Sequence, residues 1–369
     1  MRVVVGMSGG VDSAVSALLL KQQGHDVIGV FMKNWDEQGD DALCTAESDW
    51  ADVRNTCDVL DIPYYAVNFS QEYKDRVFAL FLDEYKRGRT PNPDVLCNRE
   101  IKFKAFLDFA LQLDAQKIAT GHFVNTNAEG QLIKGRDPGK EQSYFLYMLK
   151  REQLLRALFP VGQMLKSQVR ELARINDLPV SEKKDSTGIC FIGERNFKNF
   201  LSTYLPAQPG LIKDTSGNAL GRHQGLMYYT LGQRKGLGIG GQGDGRSFFV
   251  VAKDLQANEL IVGQGADHPK LFSCGAVIEG LTWVGEPPCE PGDNCTLTAK
   301  FRYRQPDQKV NLWWAGEQAQ LEFSQPQRAI TPGQSAVMYK GDLCLGGGII
   351  QSSLAASADR AASTLSLET

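Results

Sequence analysis

The residues Gly6-Met7-Ser8-Gly9-Gly10-Val11-Asp12-Ser13 follow the apolar run Val3-Val4-Val5 and lead into a helical stretch from Ser13 to Gln23. A strand, a glycine loop and a helix in that order suit phosphate chemistry. Gly9 and Gly10 let the backbone approach an anion closely, and the N–H groups that open the helix point toward it. Ser8 and Ser13 add hydroxyl donors, and Asp12 can hold a magnesium ion. A Walker loop, GxxxxGK[ST], needs a lysine that this segment lacks, and Gly6, Gly9 and Gly10 do not have the GxGxxG spacing of a dinucleotide fingerprint. The plainer reading is a tight strand-to-helix turn, which would not require two serines and an aspartate around the glycines.

Two cysteines stand in segments that could carry sulfur chemistry. Cys97 follows Thr90-Pro91-Asn92-Pro93-Asp94, whose prolines place it outside any helix, and Lys86, Arg87, Arg89, Arg99, Lys102 and Lys104 outnumber the nearby acids. That field favours thiolate and attracts a phosphate backbone; the alternative is a helix-capping loop with a solvated basic face. Cys190 lies in Lys183-Lys184-Asp185-Ser186-Thr187-Gly188-Ile189-Cys190-Phe191-Ile192-Gly193, which reads as an exposed electropositive loop or as a short core strand. Spacing does not decide between them.

The elements that must position these residues alternate. Val27 to Met32, Tyr64 to Asn68 and Lys117 to His122 read as strands, and apolar residues at helical spacing (Trp50, Val53, Cys57, Leu60; Tyr73, Val77, Phe81; Phe103, Phe106, Leu107, Ala110, Leu113) fall between them. This order predicts an α/β fold with a doubly wound parallel sheet, whose ligands bind beyond the carboxyl ends of the strands. The glycine loop, Met32 and Gly121-His122 all fall at that edge. Helices near Ser167 to Asn176 and Arg195 to Leu205 close this domain, 1–205. After Pro206-Ala207-Gln208-Pro209-Gly210 the strands are short and alternating, including Phe248 to Ala252, Ala276 to Val284, Thr296 to Arg304 and Ser335 to Tyr339. These predict a small central β domain, 206–270, a C-terminal β-barrel, 271–351, and a disordered Ala- and Ser-rich tail, 352–369.

Composition narrows the class. With 369 residues, 42% hydrophobic and 22% charged, the chain is an ordinary globular protein with room for several cores. A net charge of -3 supplies no global attraction to nucleic acid, so local patches would have to do so. No apolar run approaches a membrane span and Met1-Arg2 leads directly into the first strand, which implies a cytoplasmic protein with no membrane partner. Eight cysteines without a CxxC pair, and four histidines, leave no zinc-type spacing and predict thiols, with any disulfide catalytic or transient.

The loop sequence SGGxDS resembles the pyrophosphate loop of ATP pyrophosphatases, which cut ATP between the α and β phosphates. Several further segments widen the likeness: Phe31 to Trp35, Gly88 to Asp94, Cys97-Asn98, Ile101 to Lys104, Ala119 to His122, Gln142 to Leu146, the Cys190 segment and Thr230 to Gly236. With Thr331 to Ala336 and Cys344 to Gly348, the chain resembles the tRNA-specific 2-thiouridylase family over about residues 1 to 351. Glu141 stands where some members carry aspartate, which preserves the charge.

The resemblance implies ATP with Mg2+ near Asp12, and a nucleotide site built from Gly6, Met7, Ser8, Gly9, Gly10, Val11, Asp12, Ser13, Met32 and Gly121. It implies tRNA as partner, with Asn92, Pro93 and Asp94 around a flipped-out wobble uridine of the anticodon stem-loop, and contacts from His122, Lys140, Glu141, Gln142, Arg302, Tyr303 and Gln334. Uracil O2 would be adenylated with release of pyrophosphate, then replaced by persulfide sulfur carried on Cys190 and delivered by a sulfur-relay protein or cysteine desulfurase. Cys97 would be the partner thiol, leaving a Cys97-Cys190 disulfide, and Asp94 the acid/base group. The residues themselves also admit an adenylating enzyme in which nitrogen attacks, and a non-catalytic, nucleotide-regulated RNA-binding protein. The alternation of Lys300, Arg302 and Arg304 with Ala299, Phe301 and Tyr303 reads as a strand with one basic face.

Overall fold

The computed structural model describes residues 1–35, 40–185, 197–240 and 245–355. Five parallel strands form the first sheet, in the order Tyr64–Asn68, Asp26–Lys33, Arg2–Met7, Lys117–Ala119, Ala157–Leu158. The chain leaves Arg2–Met7 toward one side for two strands and returns to the other side for the rest, so a topological switch point lies between Arg2–Met7 and Lys117–Ala119. Both faces are covered, as a parallel sheet requires. Strand alternation sends Val4 into a core with Ile118, Phe103 and Phe106, and sends Val3, Val5 and Met7 into a second core with the helix Val11–Gln22. That helix is buried around much of its circumference because Val169 and Ala173 of the helix Lys166–Ile175 pack into the same core.

The chain preceding Cys97 differs from the sequence expectation. Pro93 occupies the first turn of a helix Pro93–Cys97, where its missing N–H costs nothing, and the helix runs on through a π-helical stretch Asn98–Ala105 into Phe106–Gln112. Cys97 is therefore helical, and it is fully buried.

The remaining chain is β-rich. A four-stranded sheet orders Phe248–Asp254, Glu259–Gln264, Gly210–Asp214 and Ala219–His223 around Ile212, Val250, Leu260 and Val262. Six antiparallel strands, Phe272–Trp283, Gln318–Arg328, Gln308–Ala315, Asn294–Lys300, Ser335–Lys340 and Leu343–Leu354, close into a barrel because the last pairs with the first. Closure leaves no open edge within the barrel. The strand expected to reach Arg304 stops at Lys300, so Arg302 and Tyr303 sit in a turn rather than on a strand face. Ser352, Ser353 and Leu354, expected in the tail, instead extend the last strand against Gly275, Ala276 and Val277. Cys289 and Cys295 form a disulfide, against the expectation of thiols throughout.

A hairpin from the first domain, Val124–Thr126 with Leu132–Lys134, adds to the barrel sheet: Ile133 and Leu132 pair with Leu343 and Cys344. Its seat is tight, since a Cβ on Gly162 would stand 1.8 Å from the Val124 carbonyl oxygen, while nothing lies within 4 Å of one on Gly240. Gly162→Ala is expected to destabilise the protein by about 2 kcal/mol or more, and Gly240→Ala by under about 0.5 kcal/mol, in chemical denaturation.

Candidate active site at the carboxyl edge of the parallel sheet

The phosphate loop is held in one shape from within. Gly9 has φ 74°, which favours glycine, and a Cβ there would meet the Asp49 carbonyl oxygen at 2.7 Å. Gly10 precedes the helix with extended backbone and no side chain to cap it. The first helical N–H groups lack intrahelical partners, an arrangement suited to an anion. Ser13 Oγ accepts from the Ser8 N–H at 3.2 Å and donates to the Gly10 carbonyl at 3.0 Å, and the two serine hydroxyls stand 3.2 Å apart. Two residues distant in sequence close the site: a Cβ on Gly121 would lie 2.8 Å from Ser13 N, and one on Gly6 would lie 3.0 Å from Met32 Cε. The structure thus brings Gly6 to Ser13, Met32 and Gly121 together at the switch point, where α/β sheets bind ligands.

Charge at this edge is arranged across five chain segments. Lys166 Nζ lies 2.6 and 2.8 Å from the Asp12 carboxylate oxygens and 2.8 Å from Asp185 Oδ1. Asp185 also pairs with Lys140 and, at 2.8 Å, with Arg170. Lys183 donates to Asp49 and Asp52, at 2.6 Å each, and Asp49 backs Gly9. The chain entering the Cys190 segment is therefore fastened to the phosphate loop. Beyond that segment, Phe200 and Tyr204 pack on Trp35 with ring centres at 6.0 and 6.4 Å. Cys190 itself lies outside the described residues.

The other expected residues divide. Asn92, Pro93 and Asp94 open the Cys97 helix, and the segment before them is gripped from both β domains. Thr90 N–H donates to the Pro332 carbonyl at 2.9 Å, Gln334 Nε2 donates to the Thr90 carbonyl at 2.8 Å, and Lys253 Nζ donates to the Gly88 carbonyl at 3.0 Å. The basic field expected around Cys97 is largely spent in ion pairs: Arg87 with Asp83, Arg89 with Glu84 and Glu279, and Arg99 and Lys104 with Glu100.

Several residues expected to touch RNA have internal partners. Glu141 is buried, accepting from Ser143 N–H at 2.5 Å and from Lys300 at 3.1 Å; Gln142 accepts from Phe123 N–H at 2.9 Å. Tyr303 Oη donates to the Lys140 carbonyl at 3.3 Å, and Arg302 is exposed while donating to the Leu231 and Ala329 carbonyls at 3.2 and 3.0 Å. His122 Nδ1 lies 2.8 Å from Thr120 Oγ1, and burial, with Lys102 adding to it, holds its pKa well below the ordinary range, so it is a neutral hydrogen-bonding group. Sequence reasoning passed over Lys166 and gave Asp185 no role. Nothing in the sequence separates Lys166 from the other cations, although a phosphate loop without lysine is a reason to look for one elsewhere.

Burial alone would raise the Asp185 carboxyl, but hydrogen bonds and charge from Lys140 and Lys166 bring it down to about 2. A depressed carboxyl contributes stability that is present above its unfolded value and lost as pH falls toward the folded one. Asp185→Asn is expected to flatten the decline in urea midpoint between about pH 4 and about pH 2 relative to the unsubstituted protein; equal slopes would show that the carboxylate is not paired.

Three family models match in succession: a tRNA methyl transferase HUP domain over residues 1–194, a tRNA methyl transferase PRC-barrel domain over 198–264 and an aminomethyltransferase beta-barrel domain over 275–350. The tRNA-specific 2-thiouridylase MnmA 1 of Geobacillus kaustophilus (strain HTA426) is 58% identical over 357 residues, 95% of each chain. The tRNA-specific 2-thiouridylase MnmA of Alkaliphilus oremlandii (strain OhILAs) is 57% identical over 353 residues, 95% of this chain and 96% of its own. That of Halalkalibacterium halodurans (strain ATCC BAA-125 / DSM 18197 / FERM 7344 / JCM 9153 / C-125) is 56% identical over 363 residues, 97% of each. Identity of this level along nearly the whole length, with the phosphate loop intact at the switch point, means that the chain belongs to the tRNA-specific 2-thiouridylase family.

Proposed function

We propose that this protein is an ATP-dependent tRNA sulfurtransferase that replaces O2 of the wobble uridine by sulfur. The observation that carries the reading is the meeting, at one switch point, of the anion loop Gly6 to Ser13, Gly121 and Asp185, the residue that leads into the Cys190 segment. The family models are described by methyl transfer, yet relatives 56–58% identical are thiouridylases, and a preorganised polyphosphate loop serves ATP rather than a methyl donor.

Uracil C2 is a poor electrophile because its oxygen leaves badly. The attack of O2 on the α phosphorus forms an O–P bond while the bond to the bridging oxygen breaks, and pyrophosphate departs with the electron pair. The loop N–H groups and the Ser8 hydroxyl stabilise the charge on the phosphates, while the Ser13 hydroxyl, donating to the Gly10 carbonyl, holds the loop in shape. Met32 and Gly121 bound the adenosine. Persulfide sulfur on Cys190, supplied by a relay protein or cysteine desulfurase, then attacks C2 and AMP leaves. The adduct C2–S–S–Cys190 is then resolved by the Cys97 thiolate, which attacks Cys190 Sγ. The S–S bond breaks with its electron pair on the sulfur kept by the base, and a Cys97–Cys190 disulfide remains for an external thiol to reduce, with Asp94 as acid/base on the base. Cys97 is covered in this conformation, so its reaction requires the surrounding chain to open.

Magnesium would enter with the triphosphate. Among the described residues there is no group of three side chains able to hold a metal; Asp12, paired with Lys166, would be the carboxylate nearest the phosphate loop. The three matched ranges support a catalytic, a central and a C-terminal barrel domain; they divide at 194–198 and 264–275, and the packing of Phe200, Leu201 and Leu205 into the first domain's core favours the later first boundary, near 205. Among the described residues no helix is long and apolar enough to cross a membrane. A tRNA substrate fits a cytoplasmic location.

Cys190→Ala is expected to abolish 2-thiouridine in tRNA incubated with ATP, magnesium and a persulfide donor, read by mass spectrometry, while tRNA-dependent pyrophosphate release continues. Full thiolation by this variant would remove the sulfur-carrier role, and intact turnover of both Cys97→Ala and Cys190→Ala would favour a nitrogen nucleophile. Affinity for tRNA should fall steeply with salt, because the contacts act through phosphates; a flat response would reject the tRNA footprint.

A further inference from the structure

The phosphate loop carries no lysine, yet an ammonium group lies against it. Lys166 begins the helix Lys166–Ile175, and its own N–H donates to Asp137 Oδ2 at 2.8 Å, which fixes where that helix starts. Its side chain is 11% exposed, reaching both Asp12 oxygens at 2.6 and 2.8 Å, and its Nζ lies 5.8 Å from the Phe123 ring centre. Asp12 is the second residue of the helix Val11–Gln22, and Gly121 presses on it: a Cβ there would stand 2.9 Å from Asp12 Cβ. The ammonium thus sits where the loop, the helix N-terminus and the floor at Gly121 converge, along the path a polyphosphate would take.

The pairing with Asp12 is poorly suited to be permanent. Burial raises the Asp12 carboxyl despite the pull of Lys166, so when the ammonium turns away Asp12 can take up a proton and leave no bare charge behind. Asp185 is differently placed, because Lys140 and Arg170 also neutralise it and would go on doing so if the Lys166 ammonium turned away. Asp12 and Lys166 therefore form an exchangeable pair, a carboxylate holding an ammonium in the position of an absent anion.

We propose that Lys166 is the phosphate-binding catalytic lysine of this site, moving from Asp12 onto the β phosphate of ATP. As O2 of the uracil bonds to the α phosphorus and the bridging oxygen takes the electron pair, the ammonium neutralises the charge growing on the departing pyrophosphate. The lysine of a Walker loop stands inside its motif; here the chain supplies it 154 residues after Asp12, through tertiary contact. This assignment rests on the reading that the loop takes ATP.

The test is calorimetric binding of ATP, pyrophosphate and adenosine to the full chain, with Lys166→Ala, Lys166→Arg and Lys166→Gln; the glutamine amide can still bond Asp12 if alanine fails to fold. Lys166→Ala and Lys166→Gln are expected to weaken ATP and pyrophosphate by about tenfold or more while adenosine stays within about twofold. Lys166→Arg should keep most of the preference for ATP over adenosine. Unchanged ATP affinity, or equal losses of ATP and adenosine as a purely structural role would give, overturns the assignment. If the unsubstituted protein itself binds ATP no better than adenosine, the phosphate-loop reading falls, and this assignment with it.

Discussion

Two carboxylates and three cations at the carboxyl edge of the parallel sheet pair in one network with one positive charge to spare: Asp12 and Asp185 with Lys166, Lys140 and Arg170. They come from the phosphate loop, the helix that backs it, the chain before the Cys190 segment, and the turn after the hairpin that joins the barrel. Each is partly withdrawn from water, so a member that gives up its partner needs a replacement, as the β phosphate would be for Lys166 and a proton for Asp12. That need makes the network a constraint on geometry. The loop cannot shift against the chain approaching Cys190 without separating charges.

A second constraint ties the β domains to the same site. Gly88, Arg89 and Thr90 lie immediately before Asn92, Pro93 and Asp94, and are held from the central domain by Lys253 and from the barrel by Pro332, Gln334 and Glu279. Gly333 has φ 90° and would place a Cβ 2.8 Å from Thr90 N, so the barrel loop meets the segment Gly88 to Thr90 backbone to backbone. The hairpin strand Leu132–Lys134, paired with Leu343 and Cys344, fixes the barrel from the other side. The β domains thus brace the proposed base pocket.

The same bracing accounts for the residues that the family likeness assigns to RNA but the structure turns inward. Glu141 with Lys300, Gln142 with Phe123 and Gln334 with Thr90 are bonds between or within domains, and they order the seam beside which Arg302 is exposed. Their effect on RNA would pass through that seam.

Hydrophobic patterning and local turn chemistry were legible without coordinates. Val3 to Val5 before Gly6, the amphipathic spacing of Phe103 to Leu113 and the alternation after residue 206 predict the parallel sheet, its helices and the β-rich remainder, because period and glycine placement are local properties. The nucleotide loop was legible for the same reason. What the chain could not show was where charges find partners. Lys166 against Asp12, Glu141 beneath Lys300, the helix that buries Cys97 and the disulfide Cys289–Cys295 depend on contacts that only the closed fold creates, and the withdrawal of those groups from water decides their chemistry.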